Sequence, residues 1–227
     1  MSVHFPQYLD DTPTLREPGL LVMDVDSTLI DEEVIDELGE EAGVGERIAR
    51  ITERAMNGEL DFRQALNERV ALLKGMPVSI FDRVYARLHF TNGALALIDE
   101  LHAHDWKVGV VSGGFHEIVD RLAADAGLDY YIANRLGVDE AHHVLTGDVI
   151  DPIVTKDVKL AHLHAWADEN GIPRDQTVAV GDGANDLPMI GAAGLGIAFC
   201  AKPVVRAAAP HSVDERDLRK VLDFIQR

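Results

Sequence analysis

Two carboxylates flank a single residue in Asp24-Val25-Asp26-Ser27-Thr28, which ends a short apolar run, Leu20-Leu21-Val22-Met23. Strand side chains alternate with a period of two, so Asp24 and Asp26 can point into one crevice. Like charges that close push their pKa values apart or need a cation to keep both ionised. A capping turn is the other reading, because Asp and Ser also bond locally to backbone. A second acidic group, Gly181-Asp182-Gly183-Ala184-Asn185-Asp186, directly follows Thr177-Val178-Ala179-Val180. Hard divalent cations, above all Mg²⁺, take one or two carboxylates together with water and phosphate oxygens. Asp24 and Asp182, one from each strand end, suit that role.

Between these groups the run Trp106–Val111 ends in Ser112-Gly113-Gly114. A hydroxyl and two glycines at a strand-to-helix turn offer amides and a helix N-terminus to a phosphate, and an ordinary βα turn is the alternative. Lys159 or Lys156 supplies a cation, with Lys159 better placed to reach the strand ends. On Asp61–Lys74, the residues Phe62, Leu66, Arg69 and Leu73 are spaced by four, three and four, so they share one helical face. Arg69 there either snorkels at the edge of a packed face or turns its planar fork to a carboxylate. Glu33 is either a solvated acid at a helix N-terminus or a partner for an ammonium. Taken together, Glu33 and Arg69 would recognise a zwitterion, and a phosphate ester carrying an α-amino acid group fits.

The elements that position these residues follow from hydrophobic patterning. Leu20–Met23, Trp106–Val111, Thr177–Val180 and Leu195–Ala198 read as strands buried on both faces. Helical segments, Ala94–Ala103, His116–Ala126, Val158–Asn170 and Asp186–Ala193, lie between them. This alternation predicts an α/β fold with a doubly wound, Rossmann-like parallel sheet, whose ligands bind at the carboxyl ends of the strands. The stretch from Glu32 to about Leu88 reads as helical throughout and is too long for a crossover. The expected organisation is therefore a core of residues 1–31 and 89–227 with a helical cap at 32–88. Tyr130–Val154, with Asn134, Gly137 and the Thr146-Gly147-Asp148 turn, reads as an irregular, hairpin-like excursion.

The chain has 227 residues, 39 acidic side chains against 21 Lys and Arg, and a net charge of −18. That balance excludes nucleic acid and anionic membrane surfaces as partners. The single cysteine, Cys200, reads as a small buried hydrophobe. No apolar run approaches the roughly 20 residues of a membrane-spanning helix, and Met1–Pro18 lacks a secretory pattern, so a cytoplasmic monomer or homodimer is expected. The histidine pairs are spaced at i+1 or i+2, which is unsuited to joint metal binding from a helix.

The four motifs, Asp24–Thr28, Ser112, the lysine and Gly181–Asp186, occur in the order found in the haloacid dehalogenase superfamily of phosphatases. The sequence resembles that family from Leu20 to about Lys202. The resemblance implies that Asp24 is the nucleophile and Asp26 the general acid and base. Ser112, the Gly113 amide and Lys159 would hold the phosphoryl group. Mg²⁺ would bind Asp24, the Asp26 carbonyl and Asp182, while Asn185 and Asp186 orient water or Lys159. Residues around Ala55–Gly58, Asp61-Phe62 and Glu68–Lys74 are similar to the branch acting on O-phospho-L-serine, the last step of L-serine biosynthesis. This implies that Glu33 and Arg69 bind the ammonium and carboxylate, with Met56 and Phe62 as pocket wall; packing inside the cap is the alternative for these two. A related phosphatase or a phosphotransferase with homoserine as acceptor has the same core. A non-catalytic cation-binding protein is the rival of another class, although its ligands would come from one short segment. Many bacterial relatives carry an N-terminal amino-acid-binding domain. Only some 18 residues precede the first strand here, so feedback through such a domain is not expected.

Overall fold

The computed structural model describes residues 13–227; the part of the N-terminal reading that falls on residues 1–12 lies outside them. A seven-stranded sheet has the order β4-β3-β2-β1-β5-β6-β7. Its strands are β1 (Leu20–Met23), β2 (Lys107–Phe115), β3 (Tyr130–Asp139), β4 (Val144–Ile150), β5 (Thr177–Gly181), β6 (Leu195–Phe199) and β7 (His211–Val213). Only β3 and β4 pair antiparallel. β1 lies between β2 and β5, parallel to both. The chain fills one side of β1 first and then crosses to β5 on the other, which makes the carboxyl ends beside β1 the switch point where such sheets bind ligands.

β1 carries only apolar side chains because both of its faces are covered. Leu21 and Met23 join Val108, Val110, Val178 and Val180 in one apolar cluster, while Leu20 and Val22 join Val111, Ala179 and Leu163 in the other. Burying one such side chain is worth roughly 1.5–3 kcal/mol. Helices α5 (Ala94–His102) and α6 (His116–Ala126) flank β2, and α7 (Lys156–Glu169) and α8 (Leu187–Ala192) flank β5.

Between β1 and α5 the chain forms α1 (Val34–Glu41), α2 (Gly45–Met56), α3 (Phe62–Ala71) and α4 (Ile80–Tyr85). It leaves and re-enters beside the sheet through an Ile30–Phe90 bridge and a bond from the Asp31 amide to the His89 carbonyl. Leu38, Ile48, Leu66, Val70 and Phe81 from these helices continue the first apolar cluster. Asp61 caps α3 reciprocally with Gln64, which fixes where Phe62 begins the helix. α3 ends at Ala71, so Leu73 shares its buried side from the following turn and not from the helix itself.

Three local readings are corrected. Ser112-Gly113-Gly114 belongs to the irregular end of β2, where pairing with β3 shifts register between Val111 and Phe115, and α6 starts only at His116. The stretch from Tyr130 does form the expected hairpin, since β3 and β4 pair antiparallel, but as regular strands of the main sheet, with Asn134 inside β3 and not in a turn. Cys200 is half-exposed and left-handed (φ 44°), because it turns the chain immediately after β6. No helix among the described residues is long and apolar enough to cross a membrane.

Candidate active site

The ends of β2, β1 and β5 deliver Ser112, Asp24 and Asp182 to one edge of the sheet. Asp24 is nearly buried, and its Oδ1 accepts from the Val25 amide (2.8 Å) and faces Lys159 Nζ at 2.8 Å. Lys159, buried on the first turns of α7, also donates to Asp186 Oδ1 at 2.7 Å. Asp186 Oδ2 accepts from the Gly183 amide. Gly181 is required beside it, since a Cβ there would lie 2.4 Å from the Asp186 carboxyl carbon. Lys156 is exposed on the same helix, so the geometry selects Lys159 from the two lysines. Burial opposes the Lys159 charge, but Asp24 and Asp186 outweigh it and raise its pKa.

The chain turns sharply after Asp24, with Ser27 in the left-handed region (φ 56°). That turn brings Asp26 Oδ1 under the Val34 amide at 2.7 Å, at the start of α1. Ser112 Oγ reaches Asp26 Oδ2 at 3.4 Å and accepts from the Gly114 amide at 2.8 Å. Burial and the nearby Glu33 carboxylate raise the Asp26 pKa to about 7. Burial, then Asp186, hold Asp24 well above the ordinary carboxylate range against the pull of Lys159. Burial, with Asp186 and Glu33, raises Asp182 to about 6. These are the shifts of carboxylates gathered with too little positive charge.

A divalent cation fits that deficit. Carboxylate oxygens of Asp24, Asp182 and Asp186 lie within 4.8 Å of one another. Asp186 spends both oxygens on Lys159 and Gly183, whereas the Asp182 side chain takes no hydrogen bond among the described residues. Asp182 and the second oxygen of Asp24, Oδ2, therefore present hard oxygen ligands without a hydrogen bond among the described residues.

A cavity of about 430 Å³ opens above these groups. Asp24, Asp26, Asp182, Gly113 and Asn185 line its floor, and Glu33, Met56, Phe62 and Arg69 line it from the helical side. Ser112, Lys159 and Asp186 stand behind the lining and act through the contacts above. Glu33 is the residue preceding α1 but caps no amide; its Oε1 accepts from the Ser27 hydroxyl at 2.8 Å. Arg69 is half-buried and bonds only the Ala65 carbonyl of its own helix (3.3 Å), with no carboxylate in ion-pair range among the described residues. Met56 is 73% and Phe62 38% exposed, so neither is packed in a core. The Phe62 ring lies 3.5 Å from where a Gly113 Cβ would be, across the cavity from the strand end. Lys202, Val204 and Ile35 also line the cavity. Sequence reasoning missed them; a lysine just beyond the end of β6 was the available signal for Lys202.

An open parallel sheet with a carboxylate pair, a buried lysine and a metal-competent acid at its switch point defines a hydrolase core. A family model of haloacid dehalogenase-like hydrolases matches residues 21–191, and the chain belongs to that family. It is 67% identical to the phosphoserine phosphatase of Streptococcus thermophilus, over 91% of this chain and 95% of that protein. Among solved structures, it is similar to a phospho-aspartyl intermediate analogue of phosphoserine phosphatase, with TM-score 0.86, 44% identity and coverage of 92% of this chain and 100% of that one. A substrate-bound phosphoserine phosphatase complex has TM-score 0.86 and 43% identity, covering 92% and 99%.

Proposed function

We propose that this chain hydrolyses O-phospho-L-serine to L-serine and phosphate through an aspartyl-phosphate on Asp24, with Mg²⁺ as cofactor. One observation carries the substrate assignment: Glu33 and an unpaired Arg69 face the same cavity as Asp24 and Asp26. An ammonium and a carboxylate on one small ligand would satisfy both. The names of the relatives support the same reading.

Asp24 attacks phosphorus in line with the departing serine oxygen, forming the acyl phosphate. Asp26, whose raised pKa keeps a proton available near neutrality, donates it to that oxygen. It then takes a proton from the water that opens the intermediate. Ser112, the Gly113 amide and Lys159 steady the phosphoryl oxygens, and such positioning supplies most of the rate in phosphoryl transfer. Asp24, the Asp26 carbonyl and Asp182 would hold Mg²⁺, which when bound neutralises charge on the carboxylates and the phosphoryl group. Asp186 fixes Lys159, and Asn185 contacts substrate or its water shell. Residues 32–88 form the cap over this core, with Met56 and Phe62 as walls that exclude water. The reaction would complete L-serine biosynthesis in the cytoplasm, in a monomer or homodimer.

Arg69→Ala tests the substrate. Loss of a carboxylate clamp raises KM for O-phospho-L-serine by about 10-fold or more and leaves KM for p-nitrophenyl phosphate, which lacks the carboxylate, nearly unchanged. Equal changes for both esters would contradict the assignment.

A further inference from the structure

Asn134 was a turn signal in the sequence, yet it sits on β3 opposite Phe115, fully buried. Both ends of its amide are engaged. Nδ2 donates to the Gly113 carbonyl at 2.8 Å, and Oδ1 accepts from the Val154 amide at 2.7 Å. The Val154 bond fixes the direction of the side chain: an N–H on that side demands the oxygen, which turns the amino group toward Gly113. The Gly113 carbonyl and the Gly114 N–H belong to one planar peptide unit. Gly114 N–H in turn donates to Ser112 Oγ at 2.8 Å. One rigid peptide is thus held at its carbonyl end by Asn134 and holds Ser112 at its amide end. With a lone pair of Oγ occupied by Gly114, the Ser112 hydroxyl hydrogen is left to point toward the Asp26 side of the site, where Asp26 Oδ2 lies 3.4 Å away. The approach is tight, since a Cβ on Gly114 would come within 2.9 Å of Asp26 Oδ2 and 3.0 Å of Ser112 Oγ.

We infer that Asn134 is a positioning residue for phosphoryl transfer, aiming the Ser112 hydroxyl at the phosphoryl oxygen through the Gly113–Gly114 peptide. The inference rests on the proposed role of Ser112 in holding the phosphoryl group. It also explains why a polar side chain is kept at a position that strand packing alone would fill with an apolar one: without it, the Gly113 carbonyl and the Val154 amide lose their partner.

A double-mutant cycle separates positioning from packing. Activity toward O-phospho-L-serine with Mg²⁺ is measured for the unaltered chain, Ser112→Ala, Asn134→Ala and the double variant. Positioning through Ser112 predicts that Asn134→Ala lowers kcat/KM about 10- to 100-fold when Ser112 is present, and less than about 3-fold once Ser112 is alanine. Inhibition by inorganic phosphate weakens in Asn134→Ala, while inhibition by L-serine is unchanged. Losses that multiply independently, or an equal weakening of both inhibitors, overturn the inference while leaving the role of Ser112 intact. A Ser112→Ala variant of full activity removes the role of Ser112 and the inference together. If Asn134→Ala does not fold, Asn134→Leu, which keeps a similar volume but offers no donor to Gly113, enters the same cycle with the same outcomes.

Discussion

Lys159, itself buried, places one ammonium against the buried carboxylates of Asp24 and Asp186. Removing it strands two like charges in a low-dielectric environment, which typically costs about 3–5 kcal/mol. Lys159→Met therefore lowers thermal stability markedly in the absence of added metal, and the double variant Lys159→Met, Asp186→Leu recovers part of the loss. Thermal unfolding of the two variants checks this, and a single variant as stable as the parent would contradict the electrostatic account. Arg69 is the opposite case, a half-buried cation with no carboxylate in ion-pair range among the described residues. Its pKa is lowered by burial against the pull of Asp36, Glu33 and Asp26. On the proposed reading, a substrate carboxylate completes its charge complementarity.

At the scale of elements, the base of β2 shows how a strand is anchored at the edge away from the site. Asp129 accepts from Lys107 Nζ (2.7 Å) and the Val108 amide (2.9 Å) and bonds His102 Nε2 at 2.9 Å. Burial opposes its charge, but Lys107, the Val108 amide and His102 win and hold its pKa below the usual range. A carboxyl depressed on folding stabilises above its unfolded pKa and loses that contribution as pH falls through its folded value. Asp129→Asn thus costs about 1–3 kcal/mol at neutral pH, and the gap between variant and parent narrows below about pH 4, as denaturation at the two pH values measures. The same elements show what periodicity could and could not reveal. β1 and β5 were legible because burial on both faces leaves an uninterrupted apolar run ending in acid. The helical stretch after β1 was legible because no strand pattern interrupts it. The regular strand character of β3 was not, since Asn134 and Gly137 carry turn chemistry; in the structure Asn134 bonds the Gly113 carbonyl and the Val154 amide, and Gly137 makes room for the Thr146 side chain of β4. The extension of β2 through Ser112–Gly114 was hidden for the same reason. Lys202 and Ile35 reach the cavity only through tertiary packing, which spacing along one element does not encode.

Across the whole molecule, a charge of −18 surrounds a site built for an anion. Lys159, Arg69, Lys202 and the amide donors near Gly113, with the cation proposed at Asp24 and Asp182, make a local exception, while the bulk of the 39 acids repels a phosphate ester at long range. Raising ionic strength at constant free Mg²⁺ screens that repulsion over a Debye length of about 10 Å at 0.1 M. It should therefore raise kcat/KM modestly; a clear fall would show that the local positive field governs encounter. The whole account, from strand ends to cavity, turns on Asp24 as the nucleophile. The most direct measurement is phosphate release from O-phospho-L-serine by the unaltered chain and by Asp24→Asn, each with Mg²⁺ and with EDTA. The account predicts sustained release by the unaltered chain with Mg²⁺ alone, and none by Asp24→Asn in either condition. Release by Asp24→Asn at the unaltered rate, or none by the unaltered chain with Mg²⁺, would contradict it.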